Sequence, residues 1–140
     1  MINWDKFDEH LGCHDKVLIL EIINMFINDY ADNLSALKKS VIEKDFKNLD
    51  GYAHSIKSNC ATFGDMECAK LAYNLELMGK MKEADNAKLK GLLDSDTWDR
   101  LEKMAKNKLE DTMNEVFTHF AITSKNLIEE LEQYKKIHYS

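Results

Sequence analysis

The chain has 140 residues and a formal net charge of −6; 44% of its residues are hydrophobic and 31% charged. That length buries a core without disulfides or a structural metal. The acidic balance, with no basic cluster to offset it, excludes the counterion-releasing surface that nucleic-acid binding requires. Proline is absent, which favours long uninterrupted helices over a turn-rich β design. The expected fold class is therefore all-α, in one domain over residues 1–140. The three cysteines have no C-x-x-C spacing and read as small apolar residues in a reducing compartment. The opening MINWDKFDEH lacks the charged and apolar regions of a signal peptide, and no apolar run reaches membrane-spanning length. A cytoplasmic protein, or a soluble cytoplasmic piece of a larger one, is expected, without membrane contact.

In chain order, a short first helix is expected over Trp4 to Leu11, with Asn3 as N-cap and Gly12 at its end. Trp4, Phe7 and Leu11 share a face, and a piece this short serves to cap one end of a bundle. His10 and His14 are spaced as a metal pair on a helix. Gly12 between them and the absence of an answering carboxylate motif argue against a ligand role, and no metal site is expected. The second helix runs from about Asp15 towards Lys44, with Val17, Leu20, Ile23, Ile27, Tyr30, Leu34, Leu37 and Val41 on one face. Leu18, Ile19, Ile22 and Phe26 widen that surface, as a broad core face or as a patch kept for a partner.

Glu43-Lys44-Asp45 is a polar break, and Asp45 can cap a third helix. There Phe46, Leu49, Ala53, Ile56, Cys60 and Phe63 are spaced three and four apart, the buried stripe of a bundle helix. His54 lies roughly 130° round from the centre of that stripe and should face solvent. Lys57 and Ser58 stack beside it on the next turn, and the small residues Gly51, Ser58 and Ala61 leave the ring uncovered.

Gly64-Asp65 closes this helix and caps a fourth, from about Met66 to near Gly79, that buries Ala69, Leu71, Ala72, Leu75 and Met78. Residues 80–95 read either as a loop with one short helix or as a frayed continuation. Asp96-Thr97-Trp98-Asp99 has the form of a capping box. After it Trp98, Leu101, Ala105, Leu109, Thr112, Val116, Phe120, Thr123, Leu127, Leu131 and Tyr134 hold one face of a very long last helix. At 1.5 Å per residue this would span ~60 Å, so part of it must project, bend or pack on a second copy.

The run Ala53-His54-Ser55-Ile56-Lys57-Ser58-Asn59-Cys60-Ala61-Thr62-Phe63-Gly64 resembles the A-H-x-[LI]-K-[GS]-[SA]-x-x-x-[LFI]-G signature of histidine-containing phosphotransfer domains. Leu75 and Glu76, where that family commonly shows Leu-Glu, extend the likeness over roughly residues 15–80. Ser58 stands where glycine is more usual, and residues 80–106 make the chain longer than a minimal module. The resemblance implies an antiparallel four-helix bundle whose histidine, His54, takes a phosphoryl group from a receiver-domain aspartate or a kinase and passes it to another receiver. The implied partners are response-regulator receiver domains and a hybrid sensor histidine kinase. No cofactor of the chain's own is implied, magnesium being expected only in the partner receiver.

The chemistry of the residues agrees with that implication. A neutral imidazole is nucleophilic near pH 7. Attack through Nε2 needs the Nδ1 proton held by an acceptor or by water, and Lys57 supplies positive charge beside the transferred oxygens. No Gly-rich phosphate loop and no magnesium-binding acidic cluster is present, so a phosphoryl carrier without kinase or phosphatase activity of its own is expected. The reading of another class is an adaptor bundle, dimeric through the long last helix, in which His54 has no chemistry.

Overall fold

The computed structural model describes residues 1–83, 94–106 and 109–139. Among the described residues there are six helices and no strand: α1 Trp4–Leu11, α2 Lys16–Ile42, α3 Phe46–Thr62, α4 Met66–Glu83, α5 Ser95–Lys106 and α6 Leu109–Tyr139. Helices α2, α3, α4 and α6 form the expected four-helix bundle. The α3–α4 seam is its most extensive contact, α4 and α2 both pack on α6, and α1 lies against α3.

Capping side chains set the helix starts. Asn3 accepts from the amides of Asp5 and Lys6, Asp15 from Leu18, and Asp45 from Asn48. Asp65 accepts from the amide of Cys68 in the first turn of α4. Each satisfies amides that the helix cannot satisfy itself. The α2–α3 turn takes Lys44 through a positive φ of 57°, which returns the Asp45 amide to the Ser40 carbonyl at 2.9 Å. At the α3–α4 corner Gly64 has φ 80°, and a Cβ there would collide with the Asn3 carbonyl oxygen. Glycine lets α1 dock on this corner, with the Asn3 amide donating to the Gly64 carbonyl at 2.8 Å.

The expected core of α3 is buried at Leu49, Ala53, Ile56, Cys60 and Phe63. That of α4 is buried at Ala69, Leu71, Ala72, Leu75 and Met78. In α6, Phe120, Thr123, Leu127 and Leu131 face inward as expected, joined by Met113 and Ser124.

Several expectations are corrected. Val17, placed on the core stripe of α2, is 67% exposed, whereas Ile19 and Phe26 are buried. Two overlapping stripes of helical spacing compete in this helix. Phe26 packs on Phe63, with ring centroids 5.1 Å apart, while Tyr30 of the first stripe places its hydroxyl on Ser124 Oγ at 2.7 Å, so the buried face draws on both. Gly79 does not end α4, which continues to Glu83. It is buried in the α3–α4 seam, where a Cβ would lie 3.0 Å from the Phe46 carbonyl oxygen. The missing side chain permits close backbone approach. The cap expected at Asp96 is Asp94, which accepts from both the amide and the hydroxyl of Thr97. The long helix expected from Trp98 is described as α5 and α6, and its continuity across 107–108, the undecided stretch 84–93 and the side chains of Leu101, Ala105, Leu109 and Thr112 lie outside the described residues.

Candidate functional site

The site is built on the α3–α4 seam. His54 lies opposite the buried stripe of α3, as its spacing predicts, and its side chain is 61% exposed. Glu76 comes from the facing turn of α4 and its side chain is only 3% exposed. Its two carboxylate oxygens serve different partners. Oε1 lies 2.8 Å from His54 Nδ1 and accepts from Lys80 Nζ at 3.0 Å, while Oε2 accepts from Lys57 Nζ at 2.9 Å. Lys80 also stands 3.7 Å from Asp50 on α3, and the Lys57 ammonium lies 4.8 Å from the centroid of the Tyr73 ring, over its face.

These contacts fix the charge state and the tautomer together. Burial alone would push the Glu76 carboxyl up, but the hydrogen bonds from Lys57, Lys80 and His54 outweigh it and hold the group below the usual carboxylate range. Burial would likewise lower the Lys80 ammonium, but Glu76 and then Asp50 lift it above the usual lysine range. Glu76 is therefore ionised at neutral pH and can only accept. The contact with His54 must then be Nδ1–H donating to Oε1, and in the neutral ring that tautomer carries its lone pair on Nε2.

Lys57 was expected beside the imidazole as a charge for phosphoryl oxygens. In this state its ammonium is held on Glu76 instead. Ser58 makes the internal choice open to a mid-helix serine, its Oγ donating to the His54 carbonyl at 3.2 Å. Gly51 is exposed with open space where a Cβ would stand, so this position of the preceding turn adds no side chain over the ring. Ala61 lies two turns further on, half-buried and packed against the core, and borders the site without flanking the ring.

Sequence reasoning missed Glu76, Lys80, Tyr73 and Asp50 as members of the site. For Glu76 a signal existed: it falls four residues after Ala72 and seven after Ala69, on the buried stripe of α4, and a carboxylate at a core position needs partners. Lys80, four residues further on the same face, follows from it.

The remaining histidines lie elsewhere. His10 Nδ1 stands 3.3 Å from the Thr62 carbonyl oxygen. His14 is beyond the end of α1, so the two do not share a helix. His119 approaches Glu67 at 3.6 Å, and His138 packs on Tyr134. Among the described residues no group of three or more His, Cys, Asp or Glu side chains could hold a metal ion, and no helix is long and apolar enough to cross a membrane. On the opposite flank of α3 a cavity of about 180 Å³ opens towards α2, bordered by Ile22, Met25, Asp29, Asn59 and Thr62.

The Hpt domain family model matches residues 21–134, which take in α3, α4 and all the site residues above. No curated protein matches the chain, and no solved structure matches it.

Proposed function

The chain belongs to the Hpt domain family, and from that premise we propose that His54 is the residue that carries the phosphoryl group. A phosphotransfer role in a two-component phosphorelay comes with the family, whose members carry phosphoryl groups and are not enzymes. The observation that supports His54 is its pairing with the buried, ionised Glu76, which holds Nδ1–H and leaves the lone pair on Nε2.

Nε2 attacks the phosphorus of a receiver's aspartyl phosphate. The N–P bond forms as the P–O bond to the aspartate breaks, and the receiver's carboxylate leaves. Positive charge grows on the imidazole during attack, and the Glu76 carboxylate lies where it stabilises that charge through Nδ1–H. Lys57, one turn along α3 from His54, leaves Glu76 for the incoming phosphoryl oxygens. Lys80 stays on Oε1, so the buried carboxylate keeps a counter-charge. The reverse steps hand the group to a second receiver. The receiver docks over the outward face of α3 around Gly51 and Ser58, with the exposed Met25 and the α2–α3 cavity at its edge. Magnesium belongs to the receiver.

The test mixes the purified chain with a phosphorylated receiver domain. The expected product is an acid-labile, alkali-stable phosphoryl adduct on the chain, absent from a folded His54→Gln variant. Label retained by that variant would refute the assignment of His54.

A further inference from the structure

The odd cysteine count conceals a pair. Cys60, near the end of α3, and Cys68, in the first turn of α4, are both fully buried, and their Sγ atoms share a hydrogen bond at 3.0 Å. Cys13 is exposed and takes no part in this contact. The two thiols sit in the α3–α4 seam, on either side of the corner at Gly64. Ala53, Ala72 and Gly79 are buried along these helices, and a Cβ at Gly79 would press on the Phe46 carbonyl oxygen at 3.0 Å. A disulfide requires such an approach, with its Cα atoms roughly 4.4–6.8 Å apart and its sulfurs directed at one another.

We propose that Cys60 and Cys68 form a reversible dithiol–disulfide site, closed by exchange with a low-molecular-weight disulfide. One cysteine thiolate attacks a sulfur of the small disulfide and expels one small thiol, giving a mixed disulfide. The other cysteine then attacks the protein sulfur and expels the second. One S–S bond is broken and one formed, two electrons pass to the small disulfide, and the two cysteine protons end on the released thiols. The hydrogen bond shared with Cys60, in which Cys68 can equally be the donor, and then burial push the Cys68 thiol far above its usual range. The thiolate therefore forms when the corner around Gly64 opens, and exchange in the folded chain is slow.

The closed form fixes the α3–α4 register. Cys60 lies six residues after His54, and Cys68 eight before Glu76, on the same two facing helices. A covalent bond there stiffens the seam that aligns His54 with Glu76. It also ties a short loop, which constrains the unfolded chain.

The test avoids the slow opening. The chain carrying Cys13→Ser is unfolded, then refolded in a buffer of glutathione disulfide with a smaller amount of glutathione. The expected product has lost two hydrogens in mass, and cleavage at Asp65 or Glu67 leaves its fragments joined until reductant is added. It should melt roughly 5 °C or more above the same sample after reduction. Two free thiols, a lasting glutathione adduct, or an oxidised form that melts at or below the reduced one would each overturn the proposal. None of these readouts depends on phosphoryl transfer, so this result and that for His54 stand apart.

Discussion

Glu76 is the most informative residue to change, because one carboxylate governs both the tautomer of His54 and the position of Lys57. Its hydrogen bond to Nδ1 is 2.8 Å long and charge-assisted, a class worth about 1.5–3 kcal/mol. If that energy is gained as the ring becomes cationic, its loss slows phosphoryl uptake roughly ten- to a hundredfold. Glu76→Leu removes acceptor and charge and should fall at the upper end. Glu76→Gln keeps an acceptor of the same shape without the charge and should cost about tenfold. Both variants should stay folded, since the ammonium groups of Lys57 and Lys80 are near enough to solvent to rehydrate. Stability also has a predicted sign. The Glu76 carboxyl is depressed in the folded chain, so its contribution is present above the unfolded carboxylate value and is lost as pH falls through the folded one. The stability difference between the parent chain and Glu76→Gln should close in acid, below the usual carboxylate range. The assay is single-turnover uptake from a phosphorylated receiver, with ¹⁵N chemical shifts of the His54 ring to report the tautomer. Wild-type rates in both variants, with Nδ1 still protonated, would refute the reasoning.

Four further outcomes follow from the same region. Lys57→Ala should slow uptake about tenfold without abolishing it, since one partly exposed charge beside a phosphoryl group stabilises by about 1–2 kcal/mol; an unchanged single-turnover rate would leave Lys57 with only its contacts to Glu76 and Tyr73. Ser58→Gly should transfer at near the parental rate with slightly lower thermal stability, because only a local bond to the His54 carbonyl is lost. Ser58→Leu should fold yet block transfer, because a helical side chain leans towards the N-terminus and would cover the ring one turn back; transfer at the parental rate would place docking on another face. Gly79→Val should lower stability by about 1–3 kcal/mol in denaturant titration, since the added atoms meet backbone at Phe46 and Asp50, and equal stability would mean the seam can open without cost.

Much of this architecture was legible because it is local. Asn3, Asp15, Asp45 and Asp65 act on amides two or three residues away, so the starts of α1 to α4 could be read from single side chains. The outward position of His54 follows from the α3 period alone. What failed was information held between helices. The α2 face could be drawn through Val17 or through Ile19 and Phe26, and packing on Phe63, outside α2, buries Phe26 while Val17 is left exposed. Gly79 reads locally as a helix stop; its reason is the backbone of α3. Glu76 is separated from His54 by 22 positions, so its partnership depends on how α3 and α4 are registered, a quantity set by packing. Its position on a buried stripe was nevertheless visible, and a charged residue there was the one available sign that the site extends across the seam.

The balance of charge in this seam bears on why a carrier built this way would release what it accepts. Before transfer, Lys57 and Lys80 stand against Glu76 and Asp50, so the side-chain charges cancel around a neutral imidazole. On the proposed reading, a phosphoryl group on Nε2 would add negative charge at the exposed edge and would draw Lys57 from Oε2. Glu76 then keeps Lys80 and the Nδ1 proton on Oε1, so no buried charge is stranded. The phosphoryl group itself gains one cation, on a side chain that is partly exposed and screened, worth no more than about 1–2 kcal/mol. A deeper clamp of several buried cations would hold the group more firmly and slow its departure to the next receiver. On the proposed reading, one lysine released to the phosphoryl group and one retained on the carboxylate would favour passage in both directions.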